Sequence, residues 1–274
     1  MQRNIIKRLT CIVLTVLMVV SMLPTGVFAA TSYRYFYVNG KNIITAANNT
    51  VQCGNGTATF DAENNILTLE NATITATKTS AISSSYYYGI YIRPTAALAS
   101  GVTIKLIGDN TIVSVDGSSK DYGIYVYSNT DVNIISESGG TLTIDNTYWG
   151  IWLAGSGDTY PSSISDCSVT ISERYYGIYV NAPFSVSNAN VSITTAGTTT
   201  ARGISGSTNL LVDISNGSVV DISCTGTASC ALYATKYAST GTYDPATVTV
   251  TDSSLTCTVS DDSTNAAIYA SGIE

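Results

Sequence analysis

The side chains able to do chemistry in this chain are few and dispersed. It has no histidine, which removes His-based triads and His metal sites. Glycoside hydrolysis needs carboxyl groups converging on one sugar bond. Only Asp261 and Asp262 are sequence neighbours, and strand neighbours point to opposite faces. Asp213 and Asp221 each sit between apolar residues, which directs both to solvent. Lyase chemistry needs acidic calcium ligands and a basic residue to take a proton. Arg93, Lys105, Lys120, Arg174 and Arg202 are scattered, with no acidic cluster beside them. Asp61-Ala62-Glu63-Asn64-Asn65 and Asp109-Asn110 read as turn chemistry before calcium chemistry. Cys53, Cys167, Cys224, Cys230 and Cys257 contain no C-x-x-C pair, which argues against zinc. Cys257 alternates with Leu255 and Val259 as a small apolar residue, and Cys224 could bridge to Cys230 across one turn. No catalytic residue, metal or cofactor is assigned.

Recognition chemistry falls to the aromatic residues, which recur in one pattern. Tyr175-Tyr176-Gly177-Ile178-Tyr179-Val180 returns as Tyr88-Gly89-Ile90-Tyr91-Ile92, Tyr122-Gly123-Ile124-Tyr125-Val126 and Trp149-Gly150-Ile151-Trp152-Leu153. With Ile178 and Val180 inward, Tyr179 points out, and so do Tyr91, Tyr125, Trp152, Tyr233 and Tyr269; Ser205 breaks the column. A second set precedes the glycine: Tyr88, Tyr122, Trp149 and Tyr176, joined by Tyr87, Tyr148 and Tyr175. Strict alternation would turn this set inward, whereas a bend at the glycine would turn it outward. Exposed rings offer flat faces on which sugars stack, with phenols and nearby amides for their hydroxyls. The competing reading is structural, because aromatic rings on adjacent strands stabilise a sheet by roughly 0.2–1 kcal/mol per pair. A buried self-association face is a third.

The element that must position these rings is a short strand. Alternation in each copy marks one buried face, and weaker copies follow at Gly203, Ala231 and Ala267. Successive copies are offset by 34, 27, 27, 26, 28 and 36 residues, the mark of a solenoid. Each cycle holds two more strands, such as Val132–Ile135 and Leu142–Ile144, separated by turn-formers such as Ser138-Gly139-Gly140 and Ser215-Asn216-Gly217-Ser218. Three strands in about 27 residues suit one rung of a parallel β-helix of about 7–8 rungs. Its inward column would be Ile90, Ile124, Ile151, Ile178, Ile204, Leu232 and Ile268. A β-sandwich is the runner-up, but it needs no fixed repeat.

Along the chain, 1–29 read as a secretory signal: Arg3, Lys7 and Arg8, an apolar run from Cys11 to Met22, and small residues before a cut after Ala29. The alternative is an uncleaved anchor, for which the run is short. Residues 30–65 read as an N-terminal β cap and 66–274 as the solenoid, with a loop insertion over 237–245. Without the signal, 9 Lys and Arg face 19 Asp and Glu. That acidity disfavours nucleic acid and anionic membranes as partners. The stop at Ser271-Gly272-Ile273-Glu274, inside what should be another rung, reads either as an edge covered by a second chain through self-association or as a shortened relative of longer arrays.

The Gly-Ile-Tyr-Val repeats, with Leu67-Thr68-Leu69-Glu70-Asn71-Ala72-Thr73-Ile74 and Ile107-Gly108-Asp109-Asn110-Thr111-Ile112, carry a resemblance over roughly 35–270. The chain resembles secreted bacterial right-handed parallel β-helix proteins of the pectin-lyase-like type, repeat proteins often labelled carbohydrate-binding. The resemblance implies an all-β, right-handed parallel β-helix. It also implies a secreted or cell-surface module that binds polysaccharide or surface glycan, or mediates adhesion. The alternatives are a structural, self-associating repeat segment and a polysaccharide lyase or hydrolase. Fold does not decide among them.

Overall fold

Alternating branched apolar and hydroxyl-bearing residues favour extended backbone with one buried face, and the computed structural model is built from such strands. It describes residues 33–95, 101–115, 120–127, 130–153, 161–197, 200–206, 210–234, 247–260 and 264–270. These fall within one compact unit, Ser32–Glu274; a second, Met1–Thr31, contains residues 1–29, read above as a secretory signal, and lies outside the described residues. The loop insertion over 237–245, Asp261-Asp262 and the 271–274 end also lie outside them.

The chain opens with β1 (Tyr33–Val38), β2 (Lys41–Asn42), β3 (Thr50–Cys53) and β4 (Gly56–Asp61). Strands then come in threes: β5 (Ile66–Glu70), β6 (Thr73–Thr79), β7 (Ser83–Pro94); β8 (Val102–Ile107), β9 (Asp109–Ser114), β10 (Asp121–Val126); β11 (Val132–Ile135), β12 (Thr141–Asp145), β13 (Trp149–Leu153). The series continues with β14 (Ser162–Ser165), β15 (Ser168–Glu173), β16 (Tyr176–Val180); β17 (Phe184–Ser187), β18 (Asn190–Ala196), β19 (Arg202–Gly206). It ends with β20 (Leu211–Ser215), β21 (Val219–Thr225), β22 (Cys230–Ala234); β23 (Thr247–Val250), β24 (Ser254–Val259), β25 (Ala266–Ala270). From β8 onward each strand pairs in parallel with the strand three before it. The fold is therefore all-β with mostly parallel sheets, an arrangement compatible with a parallel β-helix.

Register puts like residues over like. Ile90, Ile124, Ile151, Ile178, Ile204, Leu232 and Ile268 are paired in sequence along one ladder. The first six are at most 2 % exposed, and Ile268, on the last described strand, is 60 % exposed. Each fully buried side chain of this kind contributes about 1.5–3 kcal/mol. Turns between the first and second strand of each triplet carry left-handed backbone: at Asn71, Gly108, Gly139, Asp166, Asn188 or Asp252 alone, and at Asn216 together with Gly217. Asn and Asp tolerate that region better than other L-residues, because a short polar side chain bonds locally. Buried Asn110 ties neighbouring triplets together: its Oδ1 accepts from Ala72 N at 2.9 Å, and its Nδ2 donates to Thr141 O at 3.2 Å.

A glycine column explains how the third strand meets the second. A Cβ on Gly123 would fall 2.5 Å from Ile144 Cγ2 and 2.6 Å from Gly150 O. The same collision recurs between Gly89 and Ile112, Gly150 and Ile171, Gly177 and Ile193, and Gly203 and Ile222. At the next triplet both members change: register puts Ala231 after Gly203 and Cys257 after Ile222. A methyl gained on one strand is matched by a smaller residue on the other.

The start of the ladders is covered by antiparallel strands. β1 lies across β7, with Val38 opposite Ile90 and Tyr37 opposite Tyr91. β3 and β4 extend β5 antiparallel. Such cover removes an open edge.

Gly123→Ala is expected to cost about 1–3 kcal/mol through overpacking, measured by denaturant unfolding. Adding Ile144→Cys should recover part of that loss, a coupling that independent sites would not show.

Candidate functional site

The aromatic residues form one face on the outer side of the ladder β7, β10, β13, β16, β19, β22 and β25. Both sets lie on it: Tyr88, Tyr91 and Tyr122 make a cluster separate from the main core, packed by Tyr35, Tyr37, Tyr125, Trp149 and Trp152. The glycine bend is the reason. In each strand the glycine and the isoleucine after it both serve the interior, so the residues before and after that pair point out. Tyr88 and Tyr91 therefore touch, with ring centroids 4.8 Å apart.

Rings stack along the ladder. Tyr91 lies parallel to Tyr125 at 5.5 Å and 1°, Tyr125 to Trp152 at 6.5 Å and 7°, and Trp152 to Tyr179 at 3.9 Å and 13°. In the second column Tyr88 stacks on Tyr122 at 5.4 Å, and Tyr122 on Trp149 at 4.3 Å. Tyr176 joins Trp149 through Tyr148 and Tyr175. Within a strand the columns are steeply inclined, 79° between Tyr122 and Tyr125 and 78° between Trp149 and Trp152. Tyr233 and Tyr269 form a second stack at 5.1 Å and 13°. This differs from a row of flat faces open to solvent. Rungs about 4.8 Å apart are close enough for one ring to cover the next, so faces turn largely toward neighbours and rims toward water. Tyr91 is only 4 % exposed, and Tyr88 and Tyr122 8 % each, whereas Tyr269 is 44 % exposed.

The break at Ser205 is filled from the side. Arg202 pairs in register with Tyr176, where an aromatic residue would stand, and Ser205 pairs with Tyr179. The Arg202 guanidinium lies 3.9 Å from the Tyr233 ring centroid and donates to the carbonyls of Ala201 and Ala228. Ser205, beneath this layer, is 1 % exposed. Three further cations lie over rings: Arg93 over Tyr127 at 4.1 Å and Arg34 over Tyr35 at 5.6 Å, both rings in contact with the face, and Lys78 over Tyr87 at 4.9 Å. Attraction to the ring quadrupole holds them there.

Sequence reasoning found both aromatic columns but not the contribution of β1, nor that of these cations. Tyr35 and Tyr37 were legible in principle, because Phe36 and Val38 between and after them are buried. Pairing of β1 with β7 is the long-range fact that puts them on the face.

Burial raises the phenol pKa of Tyr88 and Tyr122, and pushes that of Tyr125 up to about 12. These groups stay neutral hydrogen-bond donors over the physiological range. Two carboxyls beside the ladder are turned inside. Asp121 is fully buried and accepts from Ser114 Oγ. Glu173 is 3 % exposed, with Thr147 as a polar neighbour of its carboxyl group. Burial pushes Glu173 up to about 9; Asp145 and Asp121 add to this, and Thr147 pulls the other way. The remaining candidates do not converge. Asp213 and Asp221 are exposed on different strands. Lys105 pairs with Glu137 at 2.8 Å. Asp61 Oδ1 accepts from Glu63 N and Asn64 N, as turn chemistry requires. All five cysteines in the described residues are free thiols, and burial pushes Cys53 and Cys224 up to about 11 and Cys167 up to about 12. Among the described residues no group of three or more Cys, Asp or Glu is placed to hold a metal ion, and no helix is long and apolar enough to cross a membrane.

Comparison with family models, with curated proteins and with solved structures finds no match to this chain.

Glu173 supplies a pH prediction. Its folded pKa lies above the unfolded value near 4.5, so the stability of the neutral form is complete below that value and declines as pH rises toward about 9. Melting temperature should fall across this window. Glu173→Gln should flatten the decline and melt higher at pH 8, by at least about 4 °C, in calorimetry.

Proposed function

We propose that the chain is a right-handed parallel β-helix of about 7–8 rungs that serves, after export, as a non-catalytic module binding carbohydrate or mediating adhesion. Handedness rests on the strong right-handed preference of parallel crossovers. Export rests on the sequence of the first 29 residues. One observation carries the binding reading: rims, phenols and indoles of Tyr125, Trp152 and Tyr179, all half-buried, run unbroken over three triplets. Rung spacing near 4.8 Å is close to the length of one hexose unit, so an extended glycan can follow the ladder with its hydroxyls on the phenols.

A second reading is structural, and the ring-on-ring stacking favours it. Mutual cover of Trp152 and Tyr179 at 3.9 Å stabilises the sheet whatever the face meets. In this reading the segment is a spacer or self-associating array with no small ligand.

A glycan array decides between them. The binding reading expects signal from the wild type and at least about tenfold loss in Tyr125→Ala and Trp152→Ala, with folding checked by circular dichroism. The structural reading expects lower melting temperatures in both variants, and no glycan signal from any of the three.

A further inference from the structure

We propose that Tyr148 and Tyr175 are a site of oxidative cross-linking, where one-electron oxidation driven by a peroxide joins the two phenols as dityrosine and staples one triplet of strands to the next. This modification stands apart from the glycan reading and does not rest on it. Three observations carry it.

The first is what the chain offers an oxidant. It has no histidine, and its three methionines all fall within residues 1–29. Thiols would react next, but Cys53, Cys167, Cys224 and Cys230 are buried and Cys257 is half-buried. Burial holds Cys53, Cys167, Cys224 and Cys257 in the less reactive thiol form. Oxidation of the described residues therefore falls on tyrosine and tryptophan, which are gathered on one face.

The second is pairing. Tyr148 and Tyr175 each stand two residues before a repeat glycine, and Tyr176 N donates to Tyr148 O at 3.4 Å, which sets them on adjacent turns. Their rings stack at 4.9 Å and 17°. No third ring extends this stack, because the same place is held by Asp121 on the turn before and by Ala201 on the turn after. Each ring meets the main array edge-on, Tyr148 with Trp149 at 4.6 Å and Tyr175 with Tyr176 at 4.4 Å. An electron vacancy made elsewhere on the array can thus reach the pair.

The third is access. A phenol that loses an electron must also lose its proton. Tyr148 and Tyr175 are half-buried, so water can take it, whereas Tyr88, Tyr91 and Tyr122 are at most 8 % exposed. Tyr233 also stacks on Tyr269, but the Arg202 guanidinium lies 3.9 Å from the Tyr233 centroid. That cation is held by the ring's electrons and opposes their removal.

The step balances. Each phenol gives up one electron and one proton and becomes a phenoxyl radical. The radicals couple through a carbon–carbon bond between positions ortho to oxygen, and the two ortho hydrogens move to the oxygens, restoring both phenols. One hydrogen peroxide takes up the two electrons and two protons and leaves as two waters. The bond joins positions 27 apart in sequence and constrains the unfolded chain as a disulfide does.

The test treats the full chain, kept dilute, with a haem peroxidase and hydrogen peroxide, followed by trypsin. Cleavage after Lys120, Arg174 and Arg202 puts the two tyrosines on separate peptides, 121–174 and 175–202. The expected product is these peptides joined, lighter than their sum by two hydrogens, with fragment ions placing the bond at Tyr148 and Tyr175. The treated monomer should show dityrosine emission and melt several degrees higher. Tyr148→Phe and Tyr175→Phe keep a ring for stacking, so before treatment both should melt as the wild type does. After treatment both should lack the joined peptides and the gain in melting temperature, while Tyr127→Phe keeps both. Dityrosine found only between chains, a joined product that survives either substitution, or no dityrosine at all would overturn the assignment.

Discussion

Everything in this fold hangs on one vertical coincidence, the stacking of isoleucine on isoleucine in parallel register. A strand of five residues with one apolar face cannot stay folded alone. Ile124 between Ile90 and Ile151 is covered above and below, and the column becomes a continuous interior. Glycine beside each isoleucine is the second half of the constraint. With no room for a Cβ against Ile144 or Ile171, third and second strands approach until their side chains interlock. The bend at that point releases two aromatic residues per strand to the outside. Interior packing thus generates the aromatic face.

The face that results obeys a different logic from the core. Its rings sit at a spacing dictated by the backbone ladder, which is also a comfortable distance for aromatic stacking, so the rings consume one another's faces. Where the sequence drops a ring at Ser205, a guanidinium reaches across from Arg202 and lies on Tyr233. Continuity is kept by chemistry of opposite sign, and the face acquires a fixed positive charge. Acids beside the same ladder are handled in reverse: Asp121 is tied to Ser114 inside, and Glu173 is held neutral.

Much of this was legible in the amino-acid order. The Gly-Ile-Tyr period places the inward column, and alternation within Val132–Ile135 and Val169–Ile171 locates the other strands, because periodicity of two is a local property. Turn residues such as Asn188 and Asn216 were equally readable, since a left-handed residue is a local demand. The direction of Tyr88, Tyr122 and Trp149 was not. It depends on a bend at glycine whose cause, the methyl of an isoleucine on another strand, is about 20 residues away in sequence. Ring orientation was hidden for the same reason, because the plane of Tyr125 is set by Tyr91 and Trp152 on neighbouring turns. Cations over rings and the antiparallel seat of β1 on β7 are likewise products of assembly.

The two tryptophans of the chain, Trp149 and Trp152, both stand in the middle of this ring array. Tyr122 and Tyr125 pack on one side of them, and Tyr179 on the other. Indole accepts excitation energy from tyrosine at such short range, so ultraviolet light absorbed along the array drains to these two emitters. The molecule therefore carries a built-in fluorescent reporter whose colour and brightness describe this one surface and are silent about the rest.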